Sequence, residues 1–210
     1  MNDNTIITIN RECGTGGGEI ARLLGEKLGF KVYGRTMLEA VAQQFGITLE
    51  ELDRVKAKKT SWWSDFCRFY QQFGAVGYAP GTNAEPTPTS VYYAEKRLLQ
   101  ELAEKESCII VGRAGFHIFR NYPNAIHLLL IADRDARIAR IARKQNLAIE
   151  EAAKVVDKVD TARDNFVMSV AETSRHDARN YDACVNITGL QPEVAANVLA
   201  EQIRHKMATL

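Results

Sequence analysis

Two rhythms of apolar residues alternate along this 210-residue chain. Short runs rich in β-branched residues predict five strands, at Thr5 to Asn10, Phe30 to Tyr33, Cys108 to Val111, Ala125 to Ile131 and Ala183 to Ile187. Between them the apolar positions fall at helical spacing. Ile20, Leu23, Leu24 and Leu28 share one face of a helix predicted from Glu19 to Leu28, and Gly29 suits its C-cap. Further helices are predicted at Arg35 to Phe45, from Thr48 onward, at Tyr92 to Lys105, after Asp133, at Ile149 to Val170 and at Gln191 to Met207. Strands alternating with helices predict an α/β domain whose parallel sheet is covered on both faces. Ligands of such sheets bind beyond the carboxyl ends of the strands. The segment after Asn10, Gly112-Arg113 and Asp133 all fall there.

One stretch breaks the pattern. Trp62, Phe66, Phe69 and Phe73 recur at helical spacing, with Trp63 and Tyr70 alongside. They predict an aromatic helix from Ser61 to Phe73, packed on the core or on a second copy of the chain in a homodimer. Its functional alternative is a lid over a planar ligand. A loop rich in Gly, Pro, Thr and Asn follows over 74–89. The organisation expected is a single domain over 1–210 with an insertion at 56–90.

Composition narrows the class. Hydrophobic residues make up 46% of the chain and the net charge is +1, so no electrostatic footprint for nucleic acid or an anionic membrane is present. No apolar run approaches the roughly 18 residues of a membrane span. Met1 to Asn4 lack the basic-then-apolar pattern of a signal peptide. The four cysteines, Cys13, Cys67, Cys108 and Cys184, form no C-x-x-C, and the four histidines are equally scattered. A reduced, cytoplasmic chain without a zinc site is expected.

The chemistry concentrates in Arg11-Glu12-Cys13-Gly14-Thr15-Gly16-Gly17-Gly18-Glu19, between the first strand and the first helix. Glycines let a backbone curl with its N–H groups inward, and a helix N-terminus adds partial positive charge, so this order builds an anion site. A full P-loop reads G-x-x-x-x-G-K-[ST]. Here Gly17 stands at the lysine position, Gly18 at the hydroxyl position and Arg11 at the first glycine. A dinucleotide fingerprint fails at Glu19, where a third glycine belongs, and at Tyr33-Gly34-Arg35, where an acid belongs; Arg35 alone keeps an NADP reading open. Fixed cations for phosphates are offered by Arg113 at a strand end, Arg137 and Arg163, with Arg175 and Arg179 further on. Arg140 and Arg143 read as solvated surface arginines.

Four pieces carry a resemblance: Ile9 to Ala21, Val111-Gly112-Arg113, Asp160-Thr161-Ala162-Arg163 and Tyr181 to Asn186. In this order they resemble the cytidylate kinase-like family of P-loop proteins. Gly112-Arg113 matches the start of that family's Gly-Arg-Asp, with Ala114 in place of the acid. The resemblance implies a three-layer P-loop NTPase fold with a parallel five-stranded sheet, a helical insertion and a lid at 157–180. It also implies phosphoryl transfer from ATP, with Mg²⁺, to a small acceptor such as the nucleoside monophosphate CMP. Under that reading Arg11 and Arg163 act on the donor phosphates in place of the absent lysine. Cys13, Gly14, Thr15, Gly16, Gly17, Gly18 and Glu19 hold the nucleotide, and Arg113, Arg137 and Asp160 hold the acceptor. No residue is assigned as a direct metal ligand; Thr15, Asp133 and Asp160 are candidates to hold Mg²⁺, the two acids through water. The competing expectation is a non-catalytic nucleotide-binding module that uses the aromatic segment to contact a partner.

Overall fold

The computed structural model describes residues 4–34 and 88–209. The aromatic segment Ser61 to Phe73, the helices expected from Arg35 and Thr48, Arg35 itself and nearly all of the insertion at 56–90 lie outside the described residues. The chain divides into two compact units, Met1–Tyr33 with Ala103–Leu210, and Gly34–Leu102.

The first unit holds five strands: β1 (Ile6–Arg11), β2 (Lys31–Tyr33), β3 (Cys108–Val111), β4 (Ala125–Ile131) and β5 (Ala183–Asn186). They form one parallel sheet in the order β2-β3-β1-β4-β5. Its helices are α1 (Gly17–Leu28) and, after α2 (Pro88–Lys105), α3 (Gly115–Ile118), α4 (Arg134–Gln145), α5 (Ile149–Ala171) and α6 (Pro192–Met207). Helix α2 (Pro88–Lys105) lies mostly in the second unit, where Tyr92, Glu95 and Leu99 are buried.

Period two decides which side chains meet which helices. Ile7 and Ile9 of β1, Ile109 of β3 and Ile126, Leu128 and Leu130 of β4 point to one face of the sheet. There they pack on Ile20 and Leu24 of α1 and on Ala196, Leu199 and Ile203 of α6. Thr8 and Asn10 point to the opposite face, where Gly115 of α3 approaches so closely that a Cβ would lie 3.1 Å from the Thr8 methyl. Phe116 of α3 and Val167 of α5 cluster on that side with Tyr181. Helices on both faces make three layers. Helices α4 and α5 pair around Ile138, Ile141, Ala152 and Val156. No described helix is long and apolar enough to cross a membrane.

The boundaries depart from the predicted ones where residues carry no hydrophobic signal. Helix α1 begins at Gly17, two residues before Glu19, because glycines are invisible to periodicity. Helix α2 begins at Pro88, inside the stretch read as loop, with proline at its first position. Helix α5 runs unbroken through Asp160, Arg163 and Asp164. The four-residue α3 and the 3₁₀ turn Ala178–Asn180 are too short to leave a period and were not foreseen.

Candidate functional site: a glycine loop framed by arginines

The strand order places β1 between β3 and β4, whose connections depart in opposite directions. The carboxyl end of β1 is therefore a topological switch point, where open α/β sheets form their ligand crevice. β1 runs out there into Glu12 to Gly16 and then α1.

Side chains of α4 and α5 bind three backbone groups of this loop. Cys13 N–H donates to Asp160 Oδ1 at 2.8 Å. The Cys13 carbonyl accepts from Arg137 Nη1 at 3.1 Å. The Thr15 hydroxyl donates to the Glu12 carbonyl at 2.9 Å, and the Thr15 carbonyl accepts from Arg140 Nη1 at 3.2 Å. In a trans peptide the carbonyl and the following N–H point opposite ways. Capture of the Thr15 carbonyl by α4 therefore turns the Gly16 N–H away from α4. The N–H groups of Gly16, Gly17 and Gly18 find no acceptor among the described residues. No side chain caps α1, whose N-cap Gly16 is left-handed at φ 76°. Orphan N–H groups at an uncapped helix start form an anion cradle.

The glycines are needed for different reasons. A Cβ on Gly14 would lie 2.6 Å from the Arg137 carbonyl, and one on Gly16 would overlap the Arg140 guanidinium. A Cβ on Gly17 would lie 2.9 Å from Arg11 Cγ, and one on Gly112 would overlap Arg11 Nη1. Arg11 thus runs through the space that two missing side chains leave, from the start of α1 to the end of β3. A Cβ on Gly18 would meet nothing within 4 Å.

Among the described residues the Arg11 guanidinium has no carboxylate partner. Burial, then the charges of Arg163, Arg113 and Arg175, pull its pKa down to about 9. Arg163 is also lowered, chiefly by burial. A buried guanidinium without a carboxylate partner, crowded by other arginines, is a group that a polyphosphate would neutralise. Arg113 stands in a run of three left-handed residues, Gly112 (φ 79°), Arg113 (φ 60°) and Ala114 (φ 50°). Such backbone is costly for residues with a Cβ and concentrates at functional sites.

Asp160 and Arg137, read from sequence as acceptor contacts, instead point their polar atoms at protein. Asp160 meets Arg137 at 2.6 Å, Arg175 at 3.0 Å and Arg163 at 4.0 Å. Burial opposes its ionisation, but the Cys13 N–H, Arg175 and Arg137 outweigh that and hold the carboxyl below its ordinary range. Arg137, 8% exposed, donates to the Ala132 and Cys13 carbonyls and meets Glu12 at 3.3 Å. Cys13 and Thr15 are buried, and Cys13 spends its N–H on Asp160 rather than on the cradle; burial also raises its thiol pKa. Glu19 is exposed in the first turn of α1.

Sequence reasoning leaves Arg140 on the surface and offers Arg175 only as a further cation for phosphates. The signal for Arg140 was its place one helical turn after Arg137. Arg175 is 1% exposed. It binds Asp164, meets Asp160 at 3.0 Å and donates to the Arg11 carbonyl at 3.0 Å, beside Arg163 at 3.1 Å. Arg179, by contrast, is exposed and pairs with Asp177. Among the described residues no group of three His, Cys, Asp or Glu side chains is placed to hold a metal ion.

A parallel sheet wound about a central strand, with a glycine loop leading into an uncapped helix, makes this a P-loop kinase fold. The chain belongs to the cytidylate kinase-like family, whose sequence model matches residues 6–189. It is 22% identical over 199 residues to the cytidylate kinase of Thermoplasma volcanium, covering 94% of this chain and 90% of that protein. The cytidylate kinase of Thermoplasma acidophilum is 21% identical over 199 residues, covering 94% and 91%. Among solved structures, an uncharacterised protein from Eubacterium ventriosum matches with a TM-score of 0.69 at 22% identity, covering 96% of this chain and 99% of that one. A shikimate kinase from Bacteroides thetaiotaomicron matches at 0.51 and 14% identity, covering 95% and 98%. At these identities the structural likeness speaks for the fold.

Proposed function

We propose that this protein transfers a phosphoryl group from ATP to a small acceptor, with nucleoside monophosphates such as CMP the leading acceptor class. The observation that carries the reading is the course of Arg11. Its stem fills the space vacated at the lysine position by Gly17, next to the orphan N–H groups of α1, and its guanidinium reaches Gly112 without a carboxylate partner among the described residues. Phosphoryl transfer rests mainly on positioning and on fixed charge around the moving group. In this reading the N–H groups of Gly16 to Gly18 and the guanidinium of Arg11 hold the donor phosphates. Arg163 adds charge, and Arg113, presented by the left-handed turn, holds the acceptor phosphate. Arg137, Arg140 and Asp160 position the loop rather than the substrate.

Mg²⁺ would neutralise charge between the donor phosphates. Asp160 and Glu12 are already committed to arginines, whereas the Asp133 carboxylate, exposed just past β4, has no cation partner among the described residues. Asp133 is the side chain that would hold a phosphate-bound Mg²⁺ through water. The free thiols Cys13, Cys108 and Cys184 agree with a reducing, cytoplasmic setting. A homodimer through the aromatic segment is part of the same proposal.

The test is ATP consumption with Mg²⁺ over a panel of nucleoside monophosphates, shikimate-like and sugar alcohols, run beside thermal shifts with ATP and CMP. The expected result is an ATP-dependent shift and turnover with one acceptor. Arg11→Ala should lower turnover by one to two decades, about the worth of a lost charge-assisted hydrogen bond. ATP binding without turnover on any acceptor favours the non-catalytic module, a reading supported by the missing lysine and by Gly18 at the hydroxyl position. No binding of ATP sinks both.

A further inference from the structure

Arg175 and Tyr181 lie in the segment between α5 and β5, and neither faces the cradle. Four hydrogen bonds nonetheless tie them to Arg11 in a closed ring. The Arg11 N–H donates to Asn10 Oδ1 at 2.9 Å. Asn10 Nδ2 donates to the Tyr181 hydroxyl at 2.8 Å. That hydroxyl donates to the Arg175 carbonyl at 2.7 Å. Arg175 Nη1 returns to the Arg11 carbonyl at 3.0 Å. Asn10 is 8% exposed and Arg175 1% exposed, so the ring is shielded from water that would compete for its bonds. Burial also raises the Tyr181 pKa, so the phenol keeps the proton it donates. Phe116 packs against the Tyr181 ring with centroids 5.2 Å apart.

A strand end frays when its last residue lacks a partner on one side. Arg11 is the last residue of β1, and the ring binds both its N–H and its carbonyl. With the backbone fixed, the stem of Arg11 leaves β1 in one direction, over Gly17 and toward Gly112. We propose that Arg175 and Tyr181 are positioning residues that set the course of the Arg11 side chain across Gly17, at the start of the anion cradle, to Gly112. The benefit for phosphate binding rests on the function proposed above; the aiming of Arg11 does not. The partners of Arg175 explain why arginine stands at this position. Asp160 and Asp164 neutralise it, leaving Nη1 directed at a neutral carbonyl. Lysine would keep the charge but could not serve three acceptors in one plane.

The test uses the full chain, with Tyr181→Phe and Arg175→Lys, each alone and combined with Arg11→Ala. The first readout is the order of the Arg11 Nε–H in side-chain ¹⁵N relaxation, its signal identified by its loss in Arg11→Ala. An ordered signal in the parent should become mobile in both single variants, while that of Arg97, far from the ring in sequence and exposed, stays unchanged. Tyr181→Phe deletes one hydroxyl inside an intact ring stack, so it keeps the question open to measurement if Arg175→Lys does not fold. The second readout is MgATP affinity by calorimetry. Each single variant should bind roughly tenfold more weakly, and the loss should vanish in the Arg11→Ala background, because residues that act through a shared partner are non-additive. An Arg11 signal that stays ordered in a folded variant, or losses that simply add, overturns the proposal. A parent that binds no ATP but whose Arg11 loses order in the variants upholds the positioning role and rejects the kinase reading.

Discussion

The stem of Arg11 fills the space of a missing side chain at Gly17, and its guanidinium fills another at Gly112. Absent atoms at two glycines thus decide where one cation points. Gly18 is different, since open space lies above it and its backbone is helical. That makes it the residue at which to test the cradle without disturbing the loop. Gly18→Asp puts a carboxylate in the first turn of α1, where helix propensity and the helix dipole both favour it. The expected outcome is a gain of about 0.5–1 kcal/mol in thermal or urea unfolding. The same variant should lose at least about tenfold in ATP affinity, since like charge now faces the phosphates. A variant that is both more stable and equally tight for ATP would rule out the cradle. Gly16 serves less well: its left-handed φ and the Arg140 guanidinium above it mean that any Cβ strains the loop for reasons unrelated to phosphate.

At the scale of elements, α4 and α5 act together as the back wall of the loop. Arg137 and Arg140 lie one turn apart on α4 and take the Cys13 and Thr15 carbonyls. Asp160 on α5 takes the Cys13 N–H and neutralises Arg137 and Arg175. Removing one partner from a buried ion cluster strands the others, so Asp160→Asn should cost about 3 kcal/mol of unfolding free energy in urea. A pH signature goes with it. The folded-state pKa of Asp160 is depressed below its ordinary 3.8, so its contribution is complete above that value. It is lost as pH falls through the lower folded pKa. The parent's stability should therefore drop more steeply below about pH 4 than that of Asp160→Asn. Matching acid limbs in the two proteins would show that Asp160 is not held ionised by the loop. These helices were legible as helices from apolar spacing, and Asp160 and Arg163 were singled out from sequence. Their partners were not, because a carbonyl at Cys13 carries no mark in sequence and arginines look alike wherever they point. Arg140 is left on the surface for that reason, and Arg175 is offered for phosphates, not for the loop.

For the whole molecule, the alternation of strands and helices was enough to foresee a parallel sheet with ligands at its carboxyl edge. Strands β3 and β4 fall where their apolar runs lie, with the same end residues. Strand order is not written in periodicity, because any parallel order gives the same alternation; it came from pairing. The two ends of the sheet also differ in character. At the amino end, Lys206 pairs with Asp182, which accepts from the His127 N–H at 2.7 Å, and His127 meets the Thr8 hydroxyl at 2.8 Å. Those groups satisfy one another, whereas among the described residues the carboxyl end keeps the N–H groups of Gly16 to Gly18 without an acceptor and the Arg11 guanidinium without a carboxylate. Hydrogen exchange with MgATP should accordingly slow at residues 14–20, 112–115 and 160–176 and stay unchanged around His127 and Asp182. Protection spread evenly over both ends would point to general stabilisation instead of a ligand at the carboxyl edge.

The central place of β1 also has a consequence for the birth of the chain. Ile6 pairs with Cys108 on one side and Ala125 on the other. A ribosome adding about 5–20 residues per second makes this strand first and its neighbours only after roughly 5–25 seconds. Throughout that interval Ile6, Ile7 and Ile9, each wholly buried at the end, have no sheet to join. The first of these strands to be synthesised therefore waits longest to be enclosed on both sides, and its apolar side chains have no sheet to cover them until β4 is made.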